Sequence, residues 1–182
     1  MANKNGGYTL IELMVSISVF AIVMMLAAGA YFSLLGLTRS AQGLSTAMDS
    51  VSFALETMTR EIRTGTHFNC NSANGGNCAL GGTSFYVLDQ NGASVGFSRS
   101  TSSGVCGGSS TGCLVETFGP NTAVLTDPSV SITALTFYVS GTAKNDSAQP
   151  TVTIVVSGTV LTNKTTTPFT VETGATMRGP DL

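Results

Sequence analysis

Cysteine and histidine, two residue types common in reactive sites, are few in this sequence, with four cysteines and one histidine. The four cysteines lie in stretches rich in Gly, Ser and Asn and form two local pairs, Cys70 with Cys78 and Cys106 with Cys113. An even number of cysteines in such stretches is typical of disulfides in an oxidising compartment. Zinc ligand pairs usually stand only about two to four residues apart. We therefore expect two small disulfide loops, Cys70–Cys78 and Cys106–Cys113, with pairing between the loops left open.

The remaining candidates for catalysis are isolated from one another. His67 is the only histidine, and a Cys/His nucleophile pair with Cys70 would be lost once that thiol forms a disulfide. Residues 89–92 lack the ligand spacing of a calcium loop, and the Gly-rich residues 104–108 do not stand between a strand and a helix as phosphate-binding loops do. We therefore expect no enzymatic activity, no metal site and no cofactor.

A long run without charge follows Glu12. It extends over residues 13–38 and ends before Arg39, which exceeds the roughly 20 apolar residues of a membrane-spanning helix. A secretory signal cleaved at the small residues 28–30 is one alternative, but the apolar run continues past them, beyond the about 7–15 residues of a signal core. A plain membrane anchor and a buried core helix are the others. We predict a transmembrane segment over about 13–38.

None of these alternatives accounts for Glu12, because an acidic residue within a membrane helix costs up to roughly 2.5–3.5 kcal/mol. A cation at the same depth would offset that cost. Cleavage after Gly7 would create one, since the new α-amino group of Tyr8 lies four residues before Glu12. In a stack of identical helices, this amine can pair with the Glu12 carboxylate of a neighbouring copy.

Residues 6–15 (GGYTLIELMV) resemble the processing motif of type IV pilins and type II secretion pseudopilins. In that family a prepilin peptidase cuts after the last leader glycine and methylates the new terminal amine. The resemblance implies that Gly7 is the leader glycine, Tyr8 the cleaved and methylated residue, and Glu12 the assembly glutamate. It implies as partners the prepilin peptidase/methyltransferase, other pilin or pseudopilin subunits, an inner-membrane assembly platform and, before assembly, membrane lipid.

The subclass and location follow from the same resemblance. Many major pilins have a proline within this helix, whereas no proline precedes Pro120 here, which favours a minor pilin or a pseudopilin. Residues 54–63 are similar to J-type pseudopilins and W-type minor pilins. The alternatives are a major pilin and, from another class, an anchored exported binding domain that does not polymerise. A net charge of −2 gives no basic surface for direct nucleic-acid binding.

We predict three parts in the chain. Residues 1–7 are a cytoplasmic leader that is removed, 8–64 form one long N-terminal helix, and 65–182 form an exported head. The protein would first be a single-pass component of the cytoplasmic (inner) membrane, with its N-terminus inside because of Lys4. It would then enter a periplasmic or cell-surface filament.

The outer half of the predicted helix has an apolar stripe with steps of three and four residues, which indicates one buried face. Its members are Leu37, Ala41, Leu44, Met48, Val51, Leu55, Met58 and Ile62. We expect Gly65 to end the helix in the left-handed conformation.

The head has the residue pattern of β-structure. Strand-like runs occur at 84–88, 93–97, 114–118, 131–139, 151–160 and 168–172, and Gly-, Ser- and Asn-rich stretches at 65–82 and 99–112 indicate loops. We predict an antiparallel sheet that packs on the helix stripe. The fold class is therefore α+β and pilin-like.

Overall fold

A computed structural model describes residues 7–71, 76–107, 111–142, 148–162 and 165–178. The helices are α1 (Leu10–Thr64) and α2 (Ser103–Cys106), and the strands are β1 (Thr66–Cys70), β2 (Cys78–Gly82), β3 (Ser84–Leu88), β4 (Ser94–Ser100), β5 (Cys113–Phe118), β6 (Asn121–Val124), β7 (Val130–Ser140), β8 (Thr151–Thr162) and β9 (Thr165–Thr176). This is an α+β, pilin-like fold. Residues 1–6 of the predicted leader, with Lys4, lie outside the described ranges.

The chain forms two compact units, Met1–Ala41 and Gln42–Leu182. The second unit therefore begins inside α1, rather than at residue 65 where the predicted head began. The outer turns of the helix belong to the head because their apolar face supplies part of its core.

The part of α1 within the first unit is apolar on all sides. Its large apolar side chains, such as Phe20 and Leu26, are exposed. The hydroxyls of Ser16 and Ser18 donate to the carbonyl oxygens of Glu12 and Met14 at 2.7 and 2.8 Å, so these polar groups are satisfied within the helix. The length and composition of α1 suffice for it to cross a membrane.

The part of α1 within the second unit has one buried face, but this face differs from the predicted stripe. Val51, Leu55, Met58 and Ile62 are buried, as are Ala47 and Ala54. Leu37 is 67% exposed and Ala41 is also exposed, so the stripe was predicted to begin too early. A stripe that repeats every 3.5 residues drifts around a helix of 3.6 residues per turn, which is why the neighbouring alanines complete the buried face.

The C-terminal end of α1 lies where the sequence predicted it, but the role assigned to Gly65 was wrong. Its φ is not in the left-handed region, and its N–H donates to the Glu61 carbonyl oxygen at 2.8 Å. A Cβ at this position would lie 2.2 Å from Cγ2 of Val87 and 2.8 Å from the Leu88 carbonyl oxygen. Glycine is needed here because β3 passes so close to the helix end.

The described strands form two antiparallel sheets, whereas the sequence analysis predicted one. Sheet A has the order β1-β3-β4-β5-β6, and sheet B has the order β2-β7-β8-β9. The buried face of α1 and both sheets share a single apolar core. Phe85 lies at its centre, with ring centroids 5.5 Å from those of Phe68 and Phe137.

All six predicted strands are present, as β3, β4, β5, β7, β8 and β9, but other elements were missed. The stretch 65–82, predicted as a loop, contains β1 and β2. The other predicted loop, 99–112, contains the end of β4 and the helix α2, and it ends just before β5. The four-residue β6 was also missed. The pairing of β1 is irregular between Thr66 and Asn69, and β2 is short and rich in glycine, so neither shows the regular alternation that identifies a strand.

The last described residues return to the end of α1. The Met177 N–H donates to the Pro150 carbonyl oxygen and the Arg178 N–H to the Arg63 carbonyl oxygen, both at 3.1 Å. The second bond occupies one of the carbonyl groups that a helix leaves unpaired at its C-terminus.

Candidate functional site

The start of α1 is a capping box formed by Thr9 and Glu12. The Glu12 N–H donates to Oγ1 of Thr9 at 3.3 Å, and the Thr9 N–H donates to Oε2 of Glu12 at 3.0 Å. The Thr9 hydroxyl also donates to Oε2 at 2.9 Å. These bonds satisfy N–H groups that have no partner within the helix. They explain why the helix begins at Leu10 and not at Tyr8 as predicted.

Thr9 is the residue of this site that the sequence analysis missed. The signal was present, because Ser or Thr followed three residues later by Glu is the pattern of a capping box. The sequence analysis treated Glu12 only as the ion-pair partner of an amine on another copy of the chain. Its position in the first turn also favours the helix in the isolated chain, since a negative charge interacts favourably with the N-terminal end of the helix dipole.

Tyr8 and Glu12 lie on the same side of the helix start. Both line a shallow hollow of about 330 Å³ together with Ile11, Val15 and Ser16. Tyr8 itself is 91% exposed, and a Cβ added to Gly7 would meet no atom within 4 Å. The Gly7–Tyr8 bond therefore precedes the helix in an uncrowded segment that another protein can reach.

Residues 2–28 match the family model of the prokaryotic N-terminal methylation motif. The chain carries the type IV pilin and pseudopilin signal. The signal supports a pilin-like or pseudopilin precursor, and it implies processing by prepilin peptidase and assembly with other pilin subunits. Comparisons with curated proteins and with solved structures gave no match.

The exposed apolar surface of α1 agrees with this pilin-like assignment. Together with the motif, the apolar helix near the N-terminus fits a protein that is first anchored in a membrane and then exported into a filament. A helix that is apolar on all sides requires either lipid or other helices around it.

The head of the pilin-like chain contains two disulfides, Cys70–Cys78 and Cys106–Cys113, with Cα–Cα distances of 6.0 and 5.5 Å. The first joins β1 of sheet A to β2 of sheet B. The second joins α2 to the start of β5. The thiols are therefore unavailable as nucleophiles or metal ligands.

His67 lies apart from any catalytic arrangement in the described part of the head. It is exposed, its φ is 57°, and its Nδ1 lies 3.3 Å from the Thr66 hydroxyl. Cys70, with which it could have formed a nucleophile pair, is disulfide-bonded. Within the described ranges, no group of three or more His, Cys, Asp or Glu residues is arranged to hold a metal ion.

In the described part of the head, two carboxyl groups have shifted pKa values, in opposite directions. The Ser129 side chain and backbone N–H lower the pKa of Asp127 by hydrogen bonding to its carboxylate, the backbone bond being 2.8 Å. Burial, and then the Glu61 carboxylate on α1, raise the pKa of Glu116 on β5. Asp127 stabilises the turn before β7, whereas Glu116 brings a second negative charge towards the helix.

Proposed function

We propose that this chain is a minor pilin or pseudopilin, a structural subunit of a type IV pilus-like or type II secretion filament. Prepilin peptidase cuts it after Gly7 and methylates the amine of Tyr8. The head is exported while the leader stays in the cytoplasm, and an inner-membrane assembly platform then moves α1 from lipid into the filament. The methylation motif and the exposed apolar helix support this sequence of events.

The observation that best supports the proposal is the geometry of Glu12. Both hydrogen bonds that its carboxylate accepts from Thr9 go to Oε2, and Oε1 accepts none from the described residues, so it can pair with the methylated amine of a neighbouring copy. Glu12 can therefore cap its own helix and pair with a second one at the same time. In the poorly hydrated interior of a filament, this attraction is stronger than in water, and it would fix the register between adjacent helices.

The uninterrupted α1 favours the minor-subunit or pseudopilin class over a major pilin. Its helical span, Leu10–Thr64, contains no proline, and Gly29 within it has no atom near its Cβ position. The likeness of residues 54–63 to J-type pseudopilins and W-type minor pilins points the same way.

Mass spectrometry of the protein purified from cells with an active prepilin peptidase tests the proposal. We expect a mature chain that starts at Tyr8 and has one added methyl group. A chain that still contains residues 1–7, or one that starts near Tyr31 after ordinary signal cleavage, would refute it. The same chain from cells without the peptidase is the control and should begin at its leader.

A further inference from the structure

The outward face of sheet B is covered by hydroxyl groups. Along β8, the even-numbered positions from Val152 to Val160 are buried and the odd-numbered ones are half-buried or exposed. Register places the outward residues of β7 and β9 beside the odd-numbered ones. We call this surface the hydroxyl face; its Ser and Thr residues are Ser131, Thr136, Ser140, Thr151, Thr153, Ser157, Thr159, Thr166, Thr170 and Thr176. Glu172 is the only charged residue in the sequences of β7, β8 and β9.

One end of the hydroxyl face continues into a groove of about 460 Å³, a volume within the roughly 300–1,000 Å³ of ligand clefts. Its described lining is Thr111, Pro128, Ser129, Ser131, Thr159, Leu161 and Thr166. Five of these seven residues have a hydroxyl and none is charged. Leu161 is 61% exposed and, with Pro128, adds an apolar contact surface.

Two of the groove hydroxyls have no partner in the described part of the chain. Ser131 interacts with Thr111, and the Ser129 side chain bonds to Asp127. The hydroxyls of Thr159 and Thr166, by contrast, take part in no hydrogen bond among the described residues. Each can both donate and accept a hydrogen bond, and because Thr159 is half-buried and Thr166 exposed, a ligand in the groove would replace water at these hydroxyls beside an exposed leucine.

We propose that this groove binds a neutral saccharide, as a segment of a polysaccharide that extends along the hydroxyl face. A sugar ring has hydroxyls that match Thr159 and Thr166 and a C–H face that can pack on Leu161. A charged ligand would lose hydration without gaining an opposite charge from the described lining. The groove thus gives the exported head a binding activity separate from filament assembly.

The test uses the full chain in a detergent without sugar groups, so that the detergent does not compete. Maltotetraose, cellotetraose and chitotetraose are the neutral probes, and tetragalacturonate is the acidic one. We expect at least one neutral probe to bind, with amide NMR shift changes centred on Ser129, Ser131 and Thr159. Failure of all three neutral probes, or tighter binding of the acidic probe, would overturn the proposal.

A pair of isosteric variants locates the site. Thr159→Val/Thr166→Val keeps the β-branched shape and removes two hydroxyls. We expect it to weaken binding about tenfold, because two hydrogen bonds to the ligand are lost. Thr153→Val/Thr176→Val makes the same change at the far end of the same strands and should alter binding less than twofold. Equal weakening by both variants would contradict the assignment. Should either variant fail to fold, the shift map of the parent chain decides the location.

Discussion

At the start of α1, the proposed function gives one carboxylate two geometrically separate uses. Oε2 of Glu12 accepts the hydrogen bonds from Thr9, whereas Oε1 accepts none from the described residues and is the atom proposed to pair with another copy. Capping requires a hydrogen-bond acceptor, whereas pairing with a methylated amine requires a negative charge. The two uses can therefore be separated by substitution.

Glu12→Gln should abolish or strongly reduce incorporation into filaments, because glutamine can complete a capping box but has no charge. Thr9→Ala is the matched variant: it removes the cap at a cost of about 0.5–2 kcal/mol and keeps the charge, so it should still be incorporated. The measurement is the amount of each variant in sheared filaments relative to its amount in membranes. Normal incorporation of Glu12→Gln would show that the charge is not needed.

Glu116 and Asp127 should give the head opposite responses to pH. The folded-state pKa of Glu116 is raised, so its contribution to stability is present below the ordinary carboxyl pKa and is lost as pH rises through the raised value. Asp127 has a lowered pKa, so its contribution is present above the ordinary pKa and is lost as pH falls through the lowered value.

Glu116→Gln should therefore raise the melting temperature at pH 7. A change of about 1 kcal/mol in the free energy of unfolding shifts the melting temperature of a domain of this size by roughly 2–4 °C. Solvent screens part of the repulsion between Glu116 and Glu61, so we expect the melting temperature to rise by about 1–2 °C. Asp127→Asn should lower the melting temperature at pH 7. Thermal unfolding should show both differences shrinking near pH 3, and a Glu116→Gln effect that persists there would contradict the cause given.

At the scale of elements, α1 changes its surroundings along its length while remaining one helix. The sequence predicted a continuous helix through the apolar run well, because apolar runs of this length are typical of helices that cross lipid. It predicted the buried face of the part of α1 in the head less well, because burial of these side chains depends on which sheet residues lie opposite them. Gly65 is the clearest case: Thr64-Gly65 is the pattern of a left-handed cap, and only the approach of Val87 and Leu88 shows why glycine is needed.

Gly65→Ala should destabilise the head by about 1–3 kcal/mol, as overpacking usually does. Two of the three atoms that its Cβ would meet are backbone oxygens, those of Glu61 and Leu88, which cannot rotate away. Gly36→Ala is the control, since a Cβ there meets nothing within 4 Å. Chemical unfolding monitored by circular dichroism measures both, and an unchanged midpoint for Gly65→Ala would refute the argument.

At the scale of the whole molecule, the sequence predicted the class of fold but not the division into two sheets. Alternation in β8 identifies a strand, yet it does not say which strand lies beside it, because pairing is decided by contacts distant in sequence. The missed β1 contains His67, and Asn71 follows it; both have positive φ, a conformation that short-range patterns do not predict for these residues. The N-terminal motif was predictable because all of its residues lie within a few positions of one another, and the match over residues 2–28 confirms the motif; the roles of Gly7, Tyr8 and Glu12 stay predictions.

The Cys70–Cys78 disulfide joins the two sheets, so its loss should affect residues outside the loop that it closes. Cys70→Ala/Cys78→Ala should lower the free energy of unfolding of the head by about 2–3 kcal/mol. It should also release β2 from the sheet, because the pairing of β2 with β7 is irregular. Hydrogen exchange should become faster at the β2 amides than in the parent chain. Cys106→Ala/Cys113→Ala is the comparison, and it should leave β2 protected; equal loss of β2 protection in both variants would refute the prediction.

The hydrogen bonds of the capping box all lie between Thr9 and Glu12, so removal of the leader leaves each of them in place. The proposed maturation therefore changes the charge near the helix start but leaves the hydrogen bonds of the capping box unchanged. The formal net charge of −2 falls by one with the loss of Lys4, while one terminal amine replaces another. Precursor and mature chains should therefore share a far-ultraviolet spectrum and differ in isoelectric focusing, where the mature form migrates to the more acidic position.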